Sequence, residues 1–211
     1  MQTEETIPVV HDTEKAILAA AEKEFLTKGF AGARTTSIAE AAGVTHAMFH
    51  YYFRTKANLF ERIVNEKVAL LKEALFTPIE NKTSSLEEAI KTIIGRHLDF
   101  IAANPDLPRF LIGEVYSDSE RAKVFLEQIR GTAPILLAAL QRKIDDGAES
   151  GHCRKVDAGM LMLDIASLNI FSFVGAPIVS SALGYLTEDM DTFVAKRKEE
   201  NFDTIMRKLK P

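Results

Sequence analysis

The 211-residue sequence contains one cysteine, no tryptophan, and only 7 proline and 11 glycine residues. The single cysteine, Cys153, can form no intrachain disulfide and no cysteine-rich metal site, which favours a reducing, cytoplasmic environment. The low proline and glycine content excludes collagen-like chains, and 46% hydrophobic against 27% charged residues excludes intrinsic disorder. We therefore expect a globular protein with one large domain or two smaller ones.

Positive charge is not in excess, because 26 Lys and Arg residues face 30 Asp and Glu residues and the net charge is −4. Over the whole chain, this balance excludes a protein coated with positive charge for nucleic acid. The charge is unevenly distributed, however, since residues 41–60 contain Arg54 and Lys56 and no acidic residue. A DNA-binding surface there would depend mainly on hydroxyl groups, backbone amides and helix ends.

Apolar residues recur at helical spacing along nearly the whole chain, and no segment alternates apolar and polar residues long enough to predict a strand. Gly29 and Gly43 are expected to interrupt helices. Thr45 and Thr55 are expected to cap the helices that follow them. The predicted fold class is all-α, with about nine helices.

The longest stretch of low charge covers residues 158–186, where Asp164 is the only charged residue. Its length would span a bilayer, but Asp164, Asn169, Gly175 and Pro177 interrupt it. A helix that is apolar nearly all round is more typical of a protein interior, so we expect no membrane segment. Because the final helix also carries an apolar stripe, these two C-terminal helices are predicted to form an isologous homodimer.

Residues 35–60 carry the most informative pattern: a short helix, a tight turn at Gly43, a second short helix and the start of a long one. Small and apolar side chains would pack the short helices together, with Ile38, Ala39 and Ala42 facing Val44, Phe49 and Phe53. Such a close crossing is typical of a helix-turn-helix.

The outward face of the second short helix combines hydrogen-bonding groups with small and apolar ones: Thr45, His46, Ala47, Met48, His50 and Tyr51. A helix that reads a DNA groove needs these properties at its N-terminal end. His46 and His50 are also four residues apart, a spacing that can bind a metal ion. No Cys, Asp or Glu lies nearby to complete such a site, so groove reading is the favoured interpretation.

Residues 13–60 resemble the tetracycline-repressor (TetR) family of bacterial transcription regulators. The resemblance lies in Gly29-Phe30, Thr35, Ile38-Ala39, Ala42-Gly43-Val44-Thr45, the aromatic residues up to Phe53, and Thr55-Lys56 with Leu59. It implies a DNA-binding domain of three helices in residues 1–56 and a larger helical domain for ligand binding and dimerisation in residues 57–211. It also implies a homodimeric repressor that binds a palindromic DNA operator and is released by a small apolar effector.

The resemblance implies two groups of DNA contacts. Phosphate contacts are implied for Thr35, Thr45, Tyr51 and Lys56. The residues nearest the bases would be His46, Ala47 and Met48. Four positions depart from the family pattern. Ala47 replaces a common glycine, and His50 stands where tyrosine is usual, which leaves one phosphate contact open. Arg34 and Ala57 stand where threonine and an acidic residue, respectively, are more common.

The family's effectors bind inside the C-terminal helical domain, and ligand sites are generally apolar cavities with few polar groups. The candidate ligand-binding residues are His97, Phe100, Phe110, Phe125, Asn169 and Phe173. A histidine on an apolar helical stripe is also typical of a core residue whose hydrogen bonds are satisfied. Asn169 and Asp164 equally suit a dimer interface.

Enzyme motifs are missing from the sequence, which has no phosphate-binding glycine loop, nucleophile elbow or His-Glu helix motif. Cys153 follows His152, but adjacency in sequence does not make a nucleophile and its base. We therefore predict neither catalysis nor a cofactor. The alternative to a regulator is a helical ligand-binding or scaffold dimer without specific DNA binding, and an enzyme built on a helical bundle is a more distant one.

Overall fold

The computed structural model describes residues 10–80, 84–117, 119–183 and 189–211. These residues contain no strand and form eleven helices: α1 (Val10–Gly32), α2 (Thr35–Ala41), α3 (His46–Phe53), α4 (Lys56–Glu80), α5 (Leu86–Ala103), α6 (Leu107–Ser117), α7 (Ser119–Arg130), α8 (Ala133–Glu149), α9 (Ala158–Val174), α10 (Ala176–Leu183) and α11 (Met190–Leu209). The all-α prediction is confirmed. The count exceeds the expected nine partly because the apolar segment after residue 158 divides at Gly175.

The chain forms two compact units. The first unit comprises Met1–Lys67 and Gly113–Val124, and the second comprises Val68–Ile112 and Phe125–Pro211. Helices α4, α6 and α7 therefore each contribute residues to both units. The compact units do not follow the predicted boundary after residue 56, because the first turns of α4 pack with α1. The functional division at that boundary stays a prediction.

The core of the first unit is built from apolar residues at helical spacing. Ile17, Ala21 and Phe25 follow one another at four-residue intervals on α1, and all three are buried. The Phe25 and Phe60 rings meet edge to face with centroids 5.4 Å apart, which joins α1 to the first turns of α4. Gly29 interrupts α1 with a φ of 68°, as predicted.

The turn between α2 and α3 follows the expected local chemistry. Gly43 has a φ of 68°, and its backbone N–H donates to the Glu40 carbonyl at 3.0 Å. The Thr45 hydroxyl accepts from the Met48 N–H at 3.2 Å and caps α3. Thr55 caps α4 in the same way, accepting from the Asn58 N–H at 3.1 Å. The buried Phe49 and Phe53 place the opposite side of α3 outward.

Helix α5 lies at the centre of the second unit and packs against α8, α9 and α11. Its start is fixed by a capping box, in which the Ser85 N–H donates to the Glu88 carboxylate at 2.9 Å and the Glu88 N–H donates to the Ser85 hydroxyl at 3.1 Å. The apolar core around α5 includes Ile90, Ile93, Ile94, Leu98, Leu140, Ile144, Leu161, Ile165, Ile205 and Leu209. This core holds α9 and α11 through one face each.

The two C-terminal segments expose different surfaces. The apolar stripe of α11 is used inside the second unit, since Val194, Ile205 and Leu209 are buried. Large apolar side chains instead remain exposed on α9 and α10. No single described helix is long and apolar enough to cross a membrane, and only α9 taken with Ala176–Ala182, at a bend of 57°, reaches that length and composition.

Candidate nucleic-acid interface and effector site

The outward face of α3 presents most of the side chains predicted to contact DNA. Thr45, His46, Ala47, His50 and Tyr51 are exposed, and Met48 is half-buried. Tyr51 is 81% exposed, so little of its ring contributes to the protein interior. An exposed aromatic side chain with a hydroxyl at its tip suits an interface that combines apolar contact with hydrogen bonding. The geometry is therefore compatible with the sequence interpretation, and the individual contacts stay predictions.

His46 is held in place by α2 and by its own helix. Its Nε2 lies 3.0 Å from the Thr35 hydroxyl at the start of α2. Its ring lies parallel to Phe49 and edge to face with His50, with centroids 6.0 Å and 4.4 Å apart. Thr35, which is predicted to contact a phosphate, and His46, which is predicted to contact the bases, therefore lie within hydrogen-bonding distance of each other. The starts of α2 and α3 are therefore joined by a side-chain contact.

His50 stabilises the turn that follows α3. Its Nδ1 lies 2.8 Å from the Arg54 carbonyl oxygen, which can only accept a hydrogen bond, so Nδ1 carries the proton in this contact. Arg54 has a φ of 59°, which is rare for a residue with a side chain. In the neutral ring, Nε2 is then the acceptor nitrogen. His50 therefore has a structural role beside its predicted DNA contact.

Lys56 has a contact that the sequence did not predict. Its ammonium group donates to the carbonyls of Phe30 and Ala33 at 2.8 Å and 2.9 Å, and it lies 4.5 Å from the centroid of the Phe30 ring. It therefore satisfies carbonyls at the end of α1, as cations at helix C-termini do. Two of the three ammonium protons are used in this way, and the predicted phosphate contact would use the third.

Two charged residues far along the chain also reach the end of α1. Glu114 accepts from the Phe30 N–H at 2.9 Å with one carboxylate oxygen and from Arg121 Nε at 2.7 Å with the other. The Arg121 guanidinium lies 4.2 Å from the centroid of the Phe30 ring. Neither residue was predicted from the sequence, because 84 positions separate Glu114 from Phe30 and no local pattern connects them.

In the second unit, a buried polar cluster joins α5, α9 and α11. The Asn169 side-chain amide donates to the Ile94 carbonyl at 3.3 Å and lies 3.2 Å from His97 Nδ1. Its oxygen accepts from the Asn201 side-chain amide at 2.8 Å. Arg197 also donates to Asn201 and, at 3.1 Å, to the Ser172 hydroxyl. We call His97, Asn169, Asn201, Arg197 and Ser172 the polar cluster.

The polar cluster brings two predicted ligand-binding residues, His97 and Asn169, into direct contact. Burial lowers the pKa of His97 to about 4, so the ring is neutral near pH 7. Because an Asn amide nitrogen only donates, His97 Nδ1 accepts and Nε2 carries the proton. Asn201 and Arg197 were not predicted, although both interrupt the apolar stripe of α11, and that interruption was the available signal.

The remaining predicted ligand-binding residues are aromatic. Phe173 is buried and meets Phe193 edge to face with centroids 6.0 Å apart, and Phe100 packs against the core of the second unit. Phe110 and Phe125 are half-buried on α6 and α7. A role of these four residues in ligand binding stays a prediction.

Two further residues are accounted for by local contacts. Asp164 is paired with Lys208 of α11 inside the second unit. Cys153 is buried, its thiol lies 3.5 Å from the Ile144 carbonyl, and burial raises the pKa of that thiol, which opposes thiolate formation. Across the described part of the chain, no group of three or more His, Cys, Asp or Glu residues is placed to hold a metal ion.

Comparison with known families gives two matches that together cover most of the chain. Residues 17–63 match the model of bacterial regulatory proteins of the tetR family. Residues 87–205 match the model of the tetracyclin repressor-like C-terminal domain. The first match covers the helix-turn-helix, and the second covers the polar cluster and the helices around it.

Individual relatives agree with these matches over part of their length. The chain is 32% identical over 108 residues to the probable HTH-type transcriptional regulator YttP of Bacillus subtilis, covering 51% of this chain and 52% of YttP. It is 33% identical over 102 residues to an HTH-type transcriptional repressor of Streptomyces coelicolor, covering 48% and 49%. The aligned part thus spans about half the length of each relative.

Solved structures share the fold over nearly the whole chain. The transcriptional regulator FadR from Bacillus subtilis, crystallised in complex with stearoyl-CoA, superposes with a TM-score of 0.67 at 18% identity, covering 92% of this chain and 98% of FadR. A regulator of the TetR/AcrR family from Thermobifida fusca superposes with a TM-score of 0.64 at 20% identity, covering 91% and 97%. At these identities, the likeness shows the fold alone.

Proposed function

Since the chain belongs to the TetR family of bacterial regulatory proteins, we propose that it is a one-component transcriptional regulator that binds a palindromic DNA operator as a homodimer. A small, mainly apolar effector would bind the second unit and release the operator, which makes the protein a repressor. The observation that carries the proposal is the exposed face of α3, held by the buried Phe49 and Phe53 and by the contact between His46 and Thr35.

We assign the proposed DNA contacts to the starts of α2 and α3. The N-terminus of α3, capped by Thr45, would enter the major groove with His46 and Ala47 nearest the base edges. Thr35 and Tyr51 would contact backbone phosphates on either side and fix the register. In a two-fold symmetric dimer, the half-site centres would lie one helical turn of DNA apart, about 34–36 Å, or a multiple of it.

The exposed apolar side chains of α9 and α10 support the homodimer. Met160, Leu163 and Phe171 lie on the outward face of α9, and Ile178 follows on α10; Phe171 is 65% and Ile178 is 70% exposed. An exposed apolar surface of this kind is typical of an interface. The outward residues of α11 include Lys196, Glu199 and Asp203. Of the two predicted C-terminal segments, the first therefore supplies the apolar contact with a second copy.

Replacing both Leu163 and Phe171 with aspartate is expected to weaken the dimer at least about 100-fold, because each apolar side chain buried in a symmetric interface is lost twice. Sedimentation equilibrium over a range of protein concentrations measures the dissociation constant. Ala195→Asp, at an exposed position of α11, is the control and should leave it unchanged. A double variant that dimerises like the wild type would place the interface elsewhere.

Operator binding is tested with DNA taken from upstream of the chain's own gene. We expect fluorescence anisotropy to show sequence-specific binding whose affinity falls linearly on a log–log plot against salt concentration. Tyr51→Ala should lower the affinity at least about tenfold, since it removes a phosphate contact. Tyr116 is the matched control, because it is 88% exposed on α6, and Tyr116→Ala should bind like the wild type.

The same experiment separates the two functions proposed from the sequence. A helical ligand-binding or scaffold dimer without specific DNA binding would bind upstream and unrelated DNA equally weakly. Equal losses in the Tyr51 and Tyr116 variants would contradict the assignment of α3 as the reading helix. Loss in the Tyr51 variant alone supports the proposed interface.

Release by an effector would follow from a shift between two conformations. The effector must bind more tightly to the conformation in which the two α3 helices are misplaced for the operator. His97 offers one hydrogen-bond donor, Nε2, within apolar surroundings, which suits a ligand that is mainly apolar and carries an acceptor. Helix α4 continues without interruption from one unit into the other, so we assign it the transmission of this change.

A further inference from the structure

The break in α1 is tied to a distant part of the chain by charged side chains. After Gly29 leaves the helical conformation, the Phe30 N–H donates to the Glu114 carboxylate at 2.9 Å. The second carboxylate oxygen of Glu114 accepts from Arg121 at 2.7 Å, and the Arg121 guanidinium lies 4.2 Å from the Phe30 ring centroid. We call Glu114, Arg121 and Phe30 the α1 clasp.

The charged and polar groups of the α1 clasp compensate one another. Glu114 is buried, and a buried carboxylate is retained at low cost only when a cation and hydrogen-bond donors surround it. Arg121 supplies the cation, and the Phe30 N–H supplies a donor. The Phe30 ring in turn stacks on Phe25 at 5.9 Å and meets Phe60 edge to face at 5.2 Å. The clasp therefore fixes the end of α1 and the first turns of α4.

The clasp residues Glu114 and Arg121 lie on helices that contribute to both units. Glu114 lies on α6 and Arg121 on α7. The part of α6 before Gly113 and the part of α7 after Val124 belong to the second unit. Helix α1 packs against α2, and α2 packs against α3. A series of contacts thus runs from α6 and α7 through the clasp and α1 to the proposed reading helix, and the Phe30 ring also joins this series to Phe60 on α4.

We infer that Glu114 is a positioning residue for operator binding, because it fixes the end of α1, and with it α2 and α3, to helices α6 and α7. This inference rests on the proposed DNA-binding function. Glu114 is assigned no contact with DNA. Its effect on the operator passes through the placement of the two reading helices in the dimer.

The test compares two DNA duplexes. One contains the full palindromic operator, and the other contains a single half-site. A full operator requires both reading helices at the correct separation, whereas a half-site requires only one folded reading helix. We expect Glu114→Ala to lower the affinity for the full operator at least about tenfold and to change the half-site affinity less than about twofold. The salt slope per half-site should stay unchanged, since no phosphate contact is lost.

A second variant keeps the inference falsifiable if Glu114→Ala fails to fold. Glu114→Gln retains an acceptor for the Phe30 N–H and loses the ion pair with Arg121, so we expect a smaller loss confined to the full operator. Glu66→Ala is the matched control, because Glu66 forms an exposed ion pair with Arg62 in the same unit, and its affinities should equal those of the wild type.

Each outcome has a distinct meaning. Equal losses on both duplexes in Glu114→Gln would show that the clasp only stabilises the fold, and an unchanged affinity for the full operator would also overturn the inference. A wild-type protein that binds neither duplex specifically would instead refute the proposed function.

Discussion

Replacing Asn169 with alanine is expected to lower the free energy of unfolding by about 3–5 kcal/mol. Asn169 is fully buried, and its side chain contacts the Ile94 carbonyl, His97 and Asn201. Its removal takes one hydrogen bond from each of these buried polar groups, and His97 Nδ1 and the Asn201 amide nitrogen lose the partner described above. A buried polar group left unsatisfied costs about 1–3 kcal/mol. The cavity left by the missing atoms adds to the loss.

Urea unfolding followed by circular dichroism measures this effect. Asn58→Ala is the control, because Asn58 is an exposed asparagine on α4, and we expect a change within about 0.5 kcal/mol. Asn169→Leu separates the two contributions, since leucine fills the space and restores no hydrogen bond. If Asn169→Leu is as stable as the wild type, packing alone explains the position, and the polar cluster has no role in stability.

The features that the sequence predicted correctly depend on chemistry within a few residues. Gly29 and Gly43 were predicted to interrupt helices, and both have a φ of 68°. Thr45 and Thr55 were predicted as caps, and each accepts a hydrogen bond from the N–H three residues later. Such interactions need no knowledge of the tertiary fold.

The features that the sequence could not predict depend on residues that are distant along the chain. His97 and Asn169 were each singled out as polar residues in apolar surroundings, but their contact across 72 positions follows only from the packing of α5 against α9. No pattern in the sequence around Glu114 indicates its contact with Phe30. Lys56 was predicted to contact a DNA phosphate, but in the structure its ammonium group donates to two carbonyls at the end of α1.

The structure also reduces the positive charge available for DNA on the first unit. Lys56 is one of two basic residues in residues 41–60, and part of its capacity is used inside the protein. Operator affinity would therefore depend on the Thr45 cap, the exposed helix starts and Tyr51 more than on net charge. Lys56→Ala is a poor probe of DNA contact, because it also removes a cap of α1, whereas Tyr51→Ala changes an exposed side chain.

The stability of the protein is expected to fall by about 3 kcal/mol between pH 6.5 and pH 4 through His97. Burial lowers the pKa of His97 from its ordinary value of 6.5 to about 4. In this window the unfolded chain takes up a proton at His97 and the folded chain does not, so lowering the pH favours unfolding. Well above pH 7 the ring is neutral in both states, and the contribution is constant.

Comparison with His97→Gln isolates this contribution from the carboxylates that titrate at the acidic end of the same window. The variant has no imidazole to protonate, so the difference in unfolding free energy between wild type and variant should change by about 3 kcal/mol from pH 6.5 to pH 4 and stay constant above pH 7. His152→Gln, at an exposed position outside the polar cluster, is the control variant and is measured over the same pH range. If the difference in unfolding free energy between wild type and His97→Gln does not change with pH, His97 takes up a proton in the folded polar cluster as readily as in the unfolded chain. The protonated Nδ1 could then no longer accept from Asn169.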